Sequence, residues 1–165
     1  GLANNASTGH DCTIRIGAGG TISMDAPLTV KNFENGGSIT GGGRTKYMLT
    51  VRGCLTSGNA DIPKLTLADG ATIKATGTAQ TVSTAFAASG TITVDASAIT
   101  KEQLKDAGKE GIPVLTVPAN YTYTGVNWNV DGAGVDSVRA KWRVNEDGTK
   151  TLYIARSDGF KVIVR

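Results

Sequence analysis

A short motif that keeps returning constrains this chain more than any other feature. Leu65-Thr66-Leu67 has counterparts at Ile14-Arg15-Ile16, Leu28-Thr29-Val30, Leu49-Thr50-Val51, Ile92-Thr93-Val94 and Leu115-Thr116-Val117. Each triplet has two apolar side chains around a polar one. With a side-chain period of two, the apolar pair shares one face and the polar residue takes the other, as in a half-buried strand. Threonine suits the outward position because it is β-branched and tolerates water. The segments between triplets, such as "NGGSITGGG" and "TSGNADIP", are made of turn residues, and 22 of the 165 residues are glycine. That is about twice the usual share of roughly 7% and fits a fold with many tight corners.

The triplets recur irregularly, about 20 residues apart, which is the length one coil of a parallel β-helix needs. The expected fold is therefore all-β: a right-handed parallel β-helix, or solenoid, over residues 10–120, with inward apolar ladders and turns that absorb insertions. Right-handedness follows the general rule for parallel crossovers. The rival fold is a β-sandwich, which would pair the triplet strands antiparallel. In "LTLADGATIKATG" the strand ends at Leu67, Asp69-Gly70 forms a corner, and the next side starts at Ala71-Thr72-Ile73.

One segment breaks the rhythm. In "TKEQLKDAGKEG", Thr100 stands three residues before Gln103 in a capping-box arrangement, and Gly108, Gly111 and Pro113 stop the element. The spacing predicts a helix over Lys101 to Lys109, placed outside the strands and covering the core with Leu104 and Ala107. From Tyr121 onward the composition changes, with six of nine aromatic residues falling there. "VRAKWRV" alternates cleanly, with Val138, Ala140, Trp142 and Val144 on one face and Arg139, Lys141 and Arg143 on the other. Turns at Glu146-Asp147-Gly148 and Ser157-Asp158-Gly159 separate it from "TLYIA" and "FKVIVR". Residues 121–165 thus read as an antiparallel meander that closes the open end of the helix within a single domain of residues 1–165.

The chemistry on offer is sparse. His10 is the single histidine, and no nucleophile–base arrangement, metal-ligand spacing, phosphate loop or dinucleotide motif surrounds it. "GGGR" at Gly41 lacks the residues of a phosphate loop. Asn59-Ala60-Asp61 and Asp131-Gly132 offer oxygen ligands for calcium, but such runs are ordinary turn formers. No catalytic, metal or cofactor site is expected. The outward residues Arg15, Ser23, Thr29, Thr50, Thr66, Thr93 and Thr116 form a threonine-rich ladder, not the acidic cluster of a polysaccharide-cleaving groove. The irregular coil lengths do not suit the lattice that ice binding requires.

With a net charge of +3 and 19% charged residues, the chain lacks the dense basic patch of a nucleic-acid binder. The stripe Arg139, Lys141, Arg143 can attract anionic glycans, although a solvated strand face is its ordinary role. No apolar run reaches the roughly 20 residues of a membrane helix. Cys12 and Cys54 are expected to form a disulfide worth on the order of 4 kcal/mol in the chain-entropy model. The alternative is two buried free thiols.

Three segments, "KLTLADGATIKATG", "SGTITVDASAIT" and "IPVLTVPA", resemble the late coils of autotransporter-type β-helix passengers, large surface proteins of Gram-negative bacteria. "WRVNEDGTKTLYIARSDGFKVIVR" resembles their closing strands. The resemblance implies a secreted or cell-surface, non-enzymatic protein used for adhesion, structure or self-association. A carboxy-terminal membrane barrel is missing, so the expectation is a free subunit or a piece of a larger chain. Two surfaces are singled out for partners. Tyr121, Tyr123 and Trp128 would contact cell-surface glycans, the alternative function being a glycan-binding module of a larger secreted protein. Phe160, Val162, Ile163 and Val164 would add to the sheet of a second molecule.

Overall fold

The computed structural model of the protein describes residues 11–24, 26–40, 48–58, 60–132 and 137–157. Its strands are β1 (Thr13–Ile16), β2 (Thr21–Ser23), β3 (Leu28–Val30), β4 (Asn32–Asn35), β5 (Ser38–Thr40), β6 (Leu49–Val51), β7 (Cys54–Thr56) and β8 (Ile62–Leu67). They continue with β9 (Thr72–Lys74), β10 (Gln80–Ala88), β11 (Thr91–Asp95), β12 (Ile112–Val117), β13 (Asn127–Asp131), β14 (Val138–Val144) and β15 (Lys150–Arg156). One helix, α1 (Lys101–Asp106), lies between β11 and β12. The protein is all-β, with parallel and mixed sheets.

From β6 to β13 successive strands alternate between two large sheets, and each return lands beside the strand previously laid down there. The first sheet, β1-β4-β7-β9-β11-β13, is parallel throughout. In the second, β3, β6, β8, β10 and β12 are parallel, and β15 and β14 then add antiparallel. β2 and β5 form a small parallel pair. The triplet strands therefore pair in parallel, as expected, and not antiparallel as in the rival sandwich.

Register turns the recurrent triplets into ladders. In the first sheet Ile14, Phe33, Leu55, Ile73, Val94 and Val130 stand in line, and the four in the middle are fully buried. In the second, Leu28, Leu49, Leu65 and Phe86 form one line and Val30, Val51, Leu67 and Ala88 another. Each fully buried Leu or Ile contributes about 1.5–3 kcal/mol relative to exposure, so these ladders dominate the core. The polar middle residues do face outward, but not in one row. Thr29, Thr50 and Thr66 are neighbours in the second sheet, whereas Arg15 and Thr93 belong to the first and Ser23 to the small pair. In the first sheet Arg15 grips Glu34 through two hydrogen bonds of 2.5 and 3.0 Å, and this holds the Glu34 carboxyl below its usual range.

The corner after β8 forms as expected at Asp69-Gly70. Asp69 Oδ1 accepts from Thr91 N–H at 2.8 Å, tying this corner to the one below it. Gly90 makes the approach possible, since a Cβ there would stand 2.0 Å from Asp69 Oδ1, and its φ of +64° is left-handed. Inside the stack one polar bracket interrupts the apolar ladders. Asn35 and Gln80 are buried; Asn35 Nδ2 donates to Gln80 Oε1 at 3.0 Å and Gln80 Nε2 donates to the Ala60 carbonyl at 2.7 Å.

Several expectations change. The helix stops at Asp106, not Lys109: Ala107 N–H makes the last helical bond, to the Gln103 carbonyl, and Gly108 N–H then tightens onto the Lys105 carbonyl as Gly108 turns left-handed. Its capping box between Thr100 and Gln103 forms, and Leu104 is buried at 1% exposure. The antiparallel section begins at 138, not 121, because β13 pairs in parallel with β11 and belongs to the first sheet. The disulfide between Cys12 and Cys54 does not form, and both thiols are free. β4 lies between the two cysteines: Cys12 precedes β1, Cys54 opens β7, and Asn32 Oδ1 accepts the Cys54 N–H. Two strand spacings are about 9.6 Å, beyond the roughly 6.8 Å a disulfide spans between Cα atoms.

Candidate functional site: a basic cleft beside the helix

Alternation along β14 divides its side chains between two environments. Val138, Ala140 and Trp142 pack against the core, while Arg139 and Lys141 are exposed on the opposite face. Val144 departs from the expected pattern at 64% exposure, at the end of the strand beside the hairpin turn. That turn is held by Asp147, whose carboxylate accepts from Thr149 N–H and hydroxyl and is thereby kept below its usual range.

On the charged face, α1 and the turn after it share a cleft with β14 and β15. Leu104 and Gly108 approach Ala155, which is buried and is the cross-strand neighbour of Arg139. The result is a cleft of about 300 Å³. The helical segment contributes Lys105 and Lys109 to its wall, and the strands contribute Arg139, Lys141 and Arg156. All five cations are exposed, none forms an ion pair among the described residues, and no acidic residue lines the cleft. Arg143, the third member of the basic stripe, is committed elsewhere. Its Nη2 donates to the Lys109 carbonyl at 2.5 Å and its guanidinium lies 4.7 Å from the centre of the Tyr153 ring. It ties the turn after α1 to β14 and so fixes one wall of the cleft.

The stripe was visible in the sequence as alternation, but its partners were not. Lys105 lies in α1 and Lys109 in the turn after it; they are four apart, the spacing of one face of the longer helix that the sequence predicts. That signal was present in "TKEQLKDAGKEG", yet nothing local says that this face would meet β14 and β15.

The three aromatics expected to contact glycans form part of a cluster on the other face of β14. Trp142 is its centre: Tyr123 stacks on it at 5.7 Å and 5°, Trp128 meets it edge-on at 5.3 Å, and Tyr121 lies at 5.4 Å. Phe86 adds an edge contact to Tyr121 at 4.8 Å. Such pairs contribute about 0.5–1.5 kcal/mol each beyond their buried area. Tyr121 is only 6% exposed, and burial pushes its phenol up to about 12. The nearby Trp128 indole opposes this in part without reaching hydrogen-bonding geometry. Tyr123, at 42% exposure, is the member that offers surface. The cluster joins β10, β13 and β14, so most of its aromatic area serves packing.

His10, Asn59 and the assembly residues Phe160, Val162, Ile163 and Val164 lie outside the described residues. Asp95 and Asp131 are register partners in the first sheet, but each is occupied locally, Asp95 by Ser97 N–H and Asp131 by Gly132 N–H. Among the described residues no group of three or more His, Cys, Asp or Glu could hold a metal ion, and no helix is long and apolar enough to cross a membrane. Comparison of the chain with protein-family models, with curated proteins and with solved structures finds no match.

Proposed function

We propose that the chain is a right-handed parallel β-helix capped by an antiparallel hairpin, and that it serves as a non-enzymatic surface protein of the autotransporter type, secreted or held at a bacterial cell surface. Its work is contact: adhesion to a host or neighbouring cell, or self-association in a surface assembly. The observation that carries this reading is the alternation of strands between two large sheets, one parallel throughout and one parallel over five strands, with apolar ladders that cross several strands of each. A stack of that kind is stiff, grows by repetition and presents long outward faces. Adhesion is tested by attaching the purified protein to beads and measuring their retention on cells and on glycan-coated surfaces. Retention no greater than that of uncoated beads refutes it.

Self-association rests on edges. A stack that stops exposes unpaired strand edges, and such edges are either covered or used to join subunits. Light scattering across a wide concentration range, with electron microscopy of the same samples, should show oligomers or filaments that vanish when residues 160–165 are deleted. A monomer at all concentrations removes this branch and leaves a monomeric adhesin. The second reading, a glycan-binding module of a larger secreted protein, is favoured by the unpaired cations of the cleft.

A further inference from the structure

We propose that the cleft between α1 and the β14–β15 hairpin binds an acidic sugar of a polysaccharide, holding its carboxylate or sulfate between Arg139, Lys141 and the lysines of the helical segment. This deepens the adhesive reading and rests on it for the nature of the partner.

The charge arrangement supplies the first argument. Five cations from α1, the turn after it, β14 and β15 converge on one cleft, with no acidic residue among the described residues of its lining. Like charges brought together repel, and no described residue neutralises these as Glu34 neutralises Arg15. A bound anion would do so. Arg139 and Lys141 are two residues apart on one strand face, about 6.8 Å along the chain, so one anionic group can meet both side chains. The planar guanidinium of Arg139 can hold a carboxylate or sulfate through two parallel hydrogen bonds.

Shape selects among anionic partners. A volume of about 300 Å³ is at the lower end of small-ligand sites, which span roughly 300–1,000 Å³, and suits one or two sugar rings. Duplex nucleic acid draws its affinity from phosphate contacts along an extended basic face, whereas here the cations are gathered at one spot on a chain of net charge +3. A membrane surface would call for exposed apolar side chains to insert. The apolar residues of the cleft, Leu104 and Ala155, are buried in its floor. The floor and the Arg143 tether give the cations a fixed frame. Repeated along a polymer, weak single contacts become firm attachment through effective concentration.

The test is binding of the intact protein to heparin oligosaccharide (sulfate and carboxylate), polygalacturonate (carboxylate only) and dextran (neutral), measured by calorimetry at several salt concentrations. Binding to either acidic glycan but not to dextran, weakening as salt rises, is expected. Each lost charge should weaken it about fivefold, the value of an exposed ion pair near 1 kcal/mol. Arg139→Gln with Lys141→Gln should therefore bind about 25-fold more weakly, and Lys105→Gln about fivefold more weakly. Lys101→Gln removes a charge from the same helix but outside the cleft and should bind as wild type. All of these positions are exposed, and unchanged circular dichroism would show that the variants fold.

Three results overturn the inference: no binding of either acidic glycan, full affinity in the double variant, or an equal loss with Lys101→Gln. Competition by duplex DNA or anionic phospholipid vesicles as strong as by the glycans overturns the assignment to sugars. Wild-type bead retention on cells that persists in the double variant refutes the cleft while the adhesive reading stands. Glycan binding in the cleft without bead retention supports the site and refutes adhesion.

Discussion

Replacing Leu67 by alanine and by aspartate, alongside Thr66→Asp, tests the core register at adjacent residues of one strand. Leu67 is fully buried and stands between Val51 and Ala88 in its ladder. Leu-to-Ala changes at such sites cost about 2.7–5.0 kcal/mol, the spread reflecting how far the cavity can close. Ladder neighbours held by backbone hydrogen bonds on both sides have little room to collapse, so about 4 kcal/mol is expected. Leu67→Asp loses about 1.5–3 kcal/mol of side-chain burial and adds an uncompensated charge worth roughly 3–5 kcal/mol. That approaches the whole stability of a typical domain, about 5–15 kcal/mol, and the variant should be largely unfolded. Thr66 points the other way, between Thr50 and Ala87, and is only partly buried. Thr66→Asp should cost about 1 kcal/mol at most, the span of strand propensity. Urea unfolding followed by circular dichroism reads all three. Equal losses for Thr66→Asp and Leu67→Ala would mean that both faces of β8 are buried or that the register is shifted by one, and the reasoning would fail.

The other expectations can be checked more briefly. Both cysteines should alkylate fully without reductant, Cys12 first, because Cys54 is half-buried and burial pushes its thiol up; an intact mass two hydrogens lighter before reduction would show a bridge. Absorbance titration of the four tyrosines should show one ionising near 12. Tyr121 stays neutral in the folded chain while the unfolded chain ionises near 10, so stability is unaffected below pH 10 and falls between 10 and 12, by up to about 2.7 kcal/mol for two pH units. Flat stability across that window would show Tyr121 to be solvated. Gly58→Ala should unfold the protein or lower its melting temperature by more than 10 °C, since the new Cβ would lie 1.5 Å from the Asn35 carbonyl oxygen; a wild-type melting curve would place that corner elsewhere.

Local chemistry made much of the fold legible. Period-two triplets, the Asp69-Gly70 corner and the Thr100–Gln103 capping box each depend on residues a few positions apart, and all three appear where the chain predicts them. What could not be read is what arises between distant segments. Asn127–Asp131 looks like the start of a meander, but its partner is β11, some thirty-six residues earlier by the pairing of Thr91 with Asn127. Cys12 and Cys54 look like a pair until β4 is placed between them. Tyr121 and Trp128 look available for ligands because nothing nearby in sequence announces that Trp142 will occupy them. The basic cleft was half visible, as the stripe on β14, and the half supplied by Lys105 and Lys109 depended on where the helix docks.

The bracket between Asn35 and Gln80 sets the alignment of the strands around it. A parallel sheet of nearly interchangeable Leu-Thr-Val strands is degenerate: a strand that docks one place too early still finds leucine beside leucine and threonine beside threonine. Burial alone discriminates poorly among such slipped alignments. An amide pair inside the stack cannot be matched that way. In the native alignment Asn35 Nδ2 and the Gln80 amide bond each other and the Ala60 carbonyl across forty-five residues of sequence, while the buried Asn35 Oδ1 has no partner among the described residues. In a slipped one, each would face hydrocarbon, at about 1–3 kcal/mol per stranded group. As a lone asparagine does in a coiled coil, the pair acts as a key that fits a single alignment. Replacing both amides with leucine and methionine takes the side-chain partners from the Ala60 carbonyl and the Gly58 N–H, so stability should fall by about 1–3 kcal/mol per stranded group and refolding should gain slow, misaligned phases.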